Sequence, residues 1–435
     1  MNINNLPLLP PIVNRAKDAA RAVKEGVHQK VESVTETTLT RLLDLRHFAV
    51  EGYALERQAQ QDVLHLFCRL TIAVAVCPSC QAVSTTIKQY KERCVRDCDT
   101  LGKRTFVHFK SRRFECSACG CRFTEELQAV DWRRRQTRRF EHLVYQRCLH
   151  SSKKAVASQL HLSQCTVHGI FKRQAKQRTR QHTHLVRILG IDEIALKKRH
   201  KQYALVLSDL ERKVVLAVLP SREQAELEKW FNTLSPVQRR AIRVVSMDMW
   251  RPYRTCVKQH LPRATIVADR FHVMKQLNEQ LTKVRRRIQQ QADAKTQEAL
   301  KGSRWLLLRT PETLTAKQKA QLQQALAADD QLRTAYLLKE EFRLIFEHID
   351  DRHKAERFLK AWICKVQLTK NRFLLDFVKT LRNWWQEILN YFIERITNGF
   401  VEGMNRAIRT IIWQAYGYRN FENFKRQVLA QHGFT

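Results

Sequence analysis

Acidic residues are what this chain has too few of. Against 78 Lys and Arg stand only 42 Asp and Glu, so its 435 residues carry a formal charge of +36, spread along the chain rather than confined to a tail. Such an excess is the electrostatic footprint of a nucleic-acid binder, whose affinity falls steeply with salt as condensed counterions are released. A ribosome-associated or merely basic protein is the blander reading. Glycine and proline are also scarce, at 11 and 9 residues, which argues against long disordered stretches. No apolar run approaches the roughly 18 residues of a membrane span, and the N-terminus lacks the charged, apolar and small-residue order of a signal peptide. These absences predict a cytoplasmic bacterial protein, nucleoid-associated and without a membrane partner.

What is present is enough apolar material, 44% of residues, to bury real cores. A chain of this length splits into about three domains. Its twelve cysteines are better read as metal ligands and buried thiols than as a disulfide framework. Cys77-Pro-Ser-Cys80 and Cys116-Ser-Ala-Cys119 are two knuckles separated by alternating residues around Phe106 to Lys110. Four thiolates at this spacing suit one tetrahedral Zn²⁺, with the intervening strands returning the second pair to the first. Cys94, Cys98 and Cys121 are further thiols close enough to compete. Lys103, Arg104, Lys110, Arg112 and Arg113 of this ribbon are expected to face phosphate.

Residues 1 to about 60 give amphipathic helical fragments of no nameable chemistry, and Leu64 to Val76 alternates like a strand entering the ribbon. Trp132 to Arg139 holds five arginines, a charge run that reads as a solvated helix face, before a helix around Phe140 to Cys148. Ser151 to Arg173 then predicts two short helices broken at Leu162 and Ser163, the latter a natural N-cap. This is a helix-turn-helix pattern, in which Gln164, Thr166, His168 and Lys172 project toward a major groove. An ordinary helical hairpin has the same pattern.

From Leu185 the apolar runs shorten. Leu185 to Ile191, Tyr203 to Leu207 and Val214 to Leu219 predict three strands, the turns between them, Lys197 to Lys201 and Asp209 to Lys213, being of hairpin length. A helix over Ser221 to Leu234, a strand over Ile242 to Met247, a helix from Pro252 and a strand over Thr265 to Ala268 follow. Three antiparallel strands, then strands alternating with helices, is the order of a ribonuclease-H-like α/β sheet, whose first and fourth strands are neighbours. Asp192 and Asp248 follow the runs ending at Ile191 and Met247, so both carboxylates would meet there. Glu402 lies in a helical pattern running from Asn398 to Gly417, with Val401, Met404, Ile408, Ile411, Ile412 and Ala415 inward and Glu402, Arg406 and Arg409 sharing another face. These three acids form a candidate cage for two Mg²⁺ (or Mn²⁺) ions, aimed at a polyanion. Each also has a plain structural reading, as a strand-end cap or, for Glu402, an intrahelical pair with Arg406. Asp269 is either a fourth ligand or the cap of the helix starting at Arg270, and His272 stands beside it. The long interval from Asp248 to Glu402 is largely helical, with a capping box at Thr315 to Gln318, which predicts a helical insertion. In that interval Arg304 and Trp305 could grip phosphate and stack on an unpaired base, but Trp305, like Trp250, reads more simply as core.

Gly190-Ile-Asp-Glu193, Ala268-Asp-Arg-Phe-His-Val273, Asn398-Gly-Phe-Val-Glu-Gly-Met-Asn405 and Ala415-Tyr-Gly-Tyr-Arg-Asn-Phe-Glu-Asn-Phe424 together resemble the DDE transposases of bacterial insertion sequences, the ISL3 family. The resemblance runs from Cys77 to Phe424 and implies a DDE site on Asp192, Asp248 and Glu402 that cuts at the 3′ ends of an element and joins them to target DNA. It also implies double-stranded DNA, element ends and target, as partner, and a homodimer or higher oligomer to bring two ends together. The expected organisation is a helical segment of unknown role (1–60), a zinc ribbon (61–130), a helix-turn-helix (131–182) and a ribonuclease-H-like catalytic domain (183–435) with its helical insertion at about 290–395. A zinc-containing helix-turn-helix repressor would share the charge but not need the carboxylates. A structure-selective junction nuclease would need them but would read DNA shape.

Overall fold

Alternation of apolar and polar side chains carries the first part of the chain into sheet. In the computed structural model, which describes residues 40, 44–59, 61–178, 184–197, 202–396 and 399–434, the strands are β1 (Phe48–Glu56), β2 (Val63–Leu70), β3 (Ala75–Val76), β4 (Val83–Ser84), β5 (Ile87–Arg96), β6 (Arg104–Glu115) and β7 (Arg122–Thr124). The main sheet runs β1-β2-β6-β5 with β7 on β6, and β3 and β4 pair separately. Two compact units are present, divided at Gln177 and Arg178.

The helical reading of residues up to about 60 is wrong at Phe48–Glu56. Phe48 and Val50 point into a core with Leu66, Val107 and Phe109, but the register slips between Val50 and Gly52 and the alternation fades beyond it. A boundary at residue 60 therefore cuts an antiparallel pair, β1 with β2. The helical fragments expected over residues 1–39 lie outside the described residues. The strand expected from Leu64 to Val76 stops at Leu70 and resumes only as β3.

Arg112 is not available to phosphate. It is 8% exposed, and its guanidinium Nε and Nη2 donate to Glu125 Oε2 at 3.0 and 2.6 Å while its backbone N–H donates to Oε1 at 2.7 Å. Breaking a buried ion pair leaves one charge uncompensated, so Glu125→Ala is expected to cost about 3–5 kcal/mol of stability. The corresponding fall in Tm checks it, and an unchanged Tm would contradict the pairing. Lys110 and Arg113 are exposed, whereas Arg104 donates to Gln58.

The five-arginine stretch is not a helix face. Residues 132–136 form a loop, and Thr137 then caps α1 (Arg138–His150) by accepting from Phe140 N at 3.2 Å. Arg139 is paired with the fully buried Asp97. Next come α2 (Lys153–Gln159) and α3 (Gln164–Arg178), joined by a short turn. Ser163 caps α3 as expected, accepting from Thr166 N at 3.1 Å. Val156, Val167, Ile170 and Phe171 are buried.

The second unit contains β8 (Ile188–Lys197), β9 (Gln202–Asp209), β10 (Val214–Leu219), α4 (Gln224–Thr233), α5 (Pro236–Ala241), β11 (Val244–Met247), α6 (Arg251–His260), β12 (Thr265–Ala268) and α7 (Arg270–Gln291). Its sheet order is β10-β9-β8-β11-β12. The first three strands are antiparallel, and β11 runs parallel to both β8 and β12. Neighbouring side chains on a strand point to opposite faces. Ile191, Leu205 and Leu207 therefore pack with Leu227, Phe231 and Tyr253 of α4 and α6. Ile194, Ala204 and Val206 pack instead with Met404, Ile408 and Phe424 of α15 (Gly399–Gln414) and α16 (Phe421–His432), the last two helices of the chain.

Between these lies a helical block: α8 (Ala294–Leu300), α9 (Ser303–Leu308), α10 (Ala316–Ala327), α11 (Asp330–His348), α12 (Arg352–Leu368), α13 (Arg372–Asn383) and α14 (Trp385–Glu394). The capping box at Thr315 and Gln318 is present. Phe342, Trp362 and Phe377 form its aromatic centre. Asn390 of α14 donates to Ile266 O at 2.9 Å, which holds the block against β12. Trp305 is not core: it is 63% exposed, because the short α9 buries Ser303 and Leu307 instead. Trp250, 41% exposed, corrects the same expectation.

Candidate metal centres and nucleic-acid interface

Parallel pairing of β8 and β11 ends at Ile191 and Met247, so Asp192 and Asp248 leave that boundary side by side. Asp192 does not end its strand, as its place after an apolar run had implied. β8 continues to Lys197 because β9 goes on pairing with it, Asp192 opposite Val206, after β11 has stopped. Each carboxylate accepts the next backbone N–H, Asp192 from Glu193 at 2.7 Å and Asp248 from Met249 at 2.6 Å.

A third acid completes the row. β12 pairs Ala268 with Met247, which sets Asp269 beside Asp248. Asp269 caps α7, accepting from Phe271 N at 2.8 Å, so the capping reading holds for it. His272 lies one turn on, its Nδ1 3.2 Å from Asp248 and 3.8 Å from Asp269. Although burial pushes the imidazole down, the hydrogen bond and charge of Asp248, then Asp269 and Asp192, raise it to about 9. Asp248 is lowered against its burial by His272. Burial dominates at Asp192 and lifts it to about 6.

Glu402 stands apart from this row. It is exposed in the first turn of α15 and 3.2 Å from Arg406, the intrahelical pair that was its structural alternative. Among the described residues, Asp192, Asp248 and Glu402 do not form a group with all ligand atoms within 4.8 Å of one another. What joins α15 to the row is Asn405, one turn beyond Glu402, which is buried and donates from Nδ2 to Asp192 Oδ2. Glu402 and Asp269 also line one open cleft of about 360 Å³, with Lys339 and Arg343. Asn405 went unassigned by sequence reasoning, although its place three residues after Glu402 puts both near one face of a helix. Tyr253 was also missed; its hydroxyl donates to Glu193 Oε1 at 2.7 Å on the opposite face of β8. Asn398, the expected helix start, lies outside the described residues.

Cys77, Cys80, Cys116 and Cys119 converge, all four sulfurs within 4.8 Å of one another. Cys77 Sγ is 3.6 Å from Cys119 Sγ, and Cys80 Sγ 3.5 Å from Cys116 Sγ. A tetrahedron with Zn–S near 2.3 Å has S–S edges of about 3.8 Å, so the set fits zinc closely. The two knuckles repeat one backbone pattern: Gln81 N donates to Cys77 O at 2.9 Å and Gly120 N to Cys116 O at 2.8 Å. Gln81 and Gly120 both take positive φ, 63° and 70°. Without a metal the four thiols share their protons: backbone amides lower Cys77 and Cys116, while hydrogen bonding to these neighbours raises Cys80 and Cys119. Cys94, Cys98 and Cys121 are outside the cluster; Cys94 lies instead 3.7 Å from His108. Glu228, Cys256 and His260 form a second group at ligand-compatible spacing, unmarked in the sequence because it joins α4 to α6.

Along α3, Gln164 and Lys172 are exposed and Thr166 and His168 half-buried. Gln164, His168 and Lys172 recur every four residues and share one helix face. Arg406 and Arg409 are exposed on α15.

Three family models match in chain order. They are a zinc-finger of the IS204, IS1001, IS1096 and IS1165 transposases over residues 73–119, the helix-turn-helix domain of transposase family ISL3 over 125–175, and the transposase domain of that family over 189–428. The transposase for insertion sequence element IS1001 of Bordetella parapertussis is 28% identical over 388 residues, covering 87% of this chain and 95% of that protein. The transposase for insertion sequence element IS1557 of Mycobacterium tuberculosis is 27% identical over 354 residues, covering 75% and 78%.

Proposed function

This chain belongs to the ISL3 family of transposases, and from that premise we propose that it binds the terminal inverted repeats of an insertion sequence, cleaves at the 3′ ends and transfers them to target DNA. In this reading the second unit is a ribonuclease-H-like domain interrupted by a helical insertion at about 290–395. The zinc ribbon, here extended to include β1, and the helix-turn-helix precede it. Asp192, Asp248 and Glu402 are its catalytic carboxylates. The observation that supports this most is the placing of Asp192 and Asp248 at one strand boundary, with Asn405 tying the helix of Glu402 to the first of them.

The donor set suits a hard divalent cation. Asp192 is a half-buried carboxylate whose hydrogen-bond donors, the Glu193 and Asn405 amides, are neutral, with His272 the nearby positive charge, so its oxygens stay available to a cation. Two Mg²⁺ or Mn²⁺ ions bound there would supply activation of a water or 3′ hydroxyl and neutralisation of the leaving oxygen. Asn405 fixes the rotamer of Asp192, and His272 steadies Asp248 and Asp269 while adding positive charge toward the phosphate. In this reading Glu402, exposed in the first turn of α15, would turn from Arg406 toward the ions while the helix stays packed on β8. Arg406, Arg409 and the α3 residues Gln164, Thr166, His168 and Lys172 bind the duplex, and a homodimer or larger assembly pairs two ends.

Labelled end DNA incubated with the protein and Mg²⁺ is expected to yield nicked and then joined products. Lys172→Ala should weaken end binding and flatten its salt dependence by about one unit of slope. Binding without nicking in either Mg²⁺ or Mn²⁺ would overturn the enzymatic reading and leave a repressor.

A further inference from the structure

An open cavity of about 510 Å³ lies where the far ends of β8 and β9 meet the β10 to α4 connection and the α15 to α16 turn. We propose that it receives an unpaired nucleotide of the DNA strand being processed, an inference that rests on the transposase reading above. Tyr203, Arg222, Tyr418, Arg419 and Phe421 line it.

Arg222 lies against two aromatic rings, 4.9 Å from the centroid of Tyr203 and 5.3 Å from that of Trp250. Among the described residues its ion-pair partner is Glu193 at 3.7 Å, a loose pair, and nearly half of its side chain is exposed. Arg419 has no hydrogen bond or ion pair among the described residues. Two guanidinium groups, one loosely paired and one unpaired among the described residues, set among aromatic rings, are the components with which proteins hold single strands: charge for the phosphate and ring faces for the base. Glu223 also lines the cavity. Its carboxylate would repel a bare phosphate but can accept from the exocyclic amine of a base.

Position supports the same occupant. Arg222 reaches Trp250 and Glu193, the residues next in the chain to the strand boundary at Asp192 and Asp248, Glu193 from the other face of β8. The turn that gives Gly417 to the lining is a Schellman helix end, Gly417 N donating to Ile412 O at 2.8 Å and Tyr416 N to Trp413 O at 3.0 Å, with Tyr416 at φ 53° and Gly417 at φ 90°. A duplex is too wide to enter, and the faces of a paired base are already covered, so the occupant is unpaired.

Two pre-nicked end DNAs test this, one flush and one carrying a three-nucleotide single-stranded extension with 5-iodouracil. Fluorescence anisotropy at one fixed salt concentration is expected to show the extension tightening binding about tenfold. Arg222→Gln and Arg419→Gln should each erase most of that gain while leaving affinity for flush DNA within twofold, and photocrosslinks should map to Tyr203, Tyr418 or Phe421. An extension gain that survives in both variants, or crosslinks confined elsewhere, would overturn the cavity assignment. If flush end DNA is neither bound nor nicked by the unaltered protein, it is the transposase reading that has failed.

Discussion

Asp192→Asn is expected to abolish metal-dependent nicking of end DNA, by at least about 10²–10³-fold, and at the same time to leave the fold intact or more stable. The two effects have one origin. Folding buries Asp192 beside Asp269 and lifts its carboxyl from its ordinary 3.8 to about 6. A raised acid favours the protonated form on folding, so below the unfolded value it carries no penalty, and the penalty grows as pH rises through the folded value. At neutral pH without divalent cation, the ionised carboxylate thus works against the fold. Asparagine keeps the shape: its Oδ1 can still accept from Glu193 N, and its Nδ2 can donate to the Oδ1 of Asn405 once that amide flips, but it carries no charge. Tm of the metal-free variant should equal or exceed that of the parent protein, while cutting disappears. Asp248→Asn should also abolish cutting, but without the gain in Tm, because Asp248 is lowered and paired with His272. End binding should survive in both variants. Nicking retained by either one removes that residue from the site, and a large loss of Tm in Asp192→Asn would mark the residue as structural.

Loss of zinc should be as severe for the first unit. Around the four cysteines the buried apolar cluster consists of Cys77, Phe114, Cys116 and Phe123, too little to hold a module together. In such modules metal affinity is folding energy, with apparent values of about 10–16 kcal/mol. Cys116→Ser is therefore expected to lower bound zinc from one ion per chain to nearly none and to unfold the ribbon. End-DNA affinity should fall at least about tenfold if, as proposed, the basic ribbon adds phosphate contacts. The second unit has its own large core and should keep its melting transition. A zinc-free variant that binds end DNA as tightly as before would contradict a structural role for the metal.

Where local rules decide the outcome, residues announced their structure. Val214–Leu219 and Thr265–Ala268 form strands at the bounds their apolar runs predict. Ser163 and Thr315 cap the helices that follow them. The Cys-x-x-Cys spacing brought four sulfurs together across 42 residues, counted from Cys77 to Cys119. Where a distant partner decides, they did not. Arg112 looked like a phosphate ligand because its partner Glu125 comes from the segment after β7. β1 looked helical because a bulge near Gly52 breaks its alternation. Trp305 looked like core because nothing local shows which side of a six-residue helix faces outward. At the candidate active site the row Asp192, Asp248 and Asp269 follows from strand order. Asn405 and His272 hold that row through contacts across elements, which no single segment displays.

Glu402 remains the acid on which the two-ion proposal is most exposed, being paired with Arg406 rather than with the row. Anomalous diffraction from crystals of the protein with Mn²⁺ and end DNA is the most direct test. Two peaks about 4 Å apart, ligated by Asp192 and Asp248 with Glu402 drawn onto one of them, are the expected result. Manganese bound away from Asp192 and Asp248, or bound there with Glu402 still on Arg406, would contradict a three-carboxylate centre.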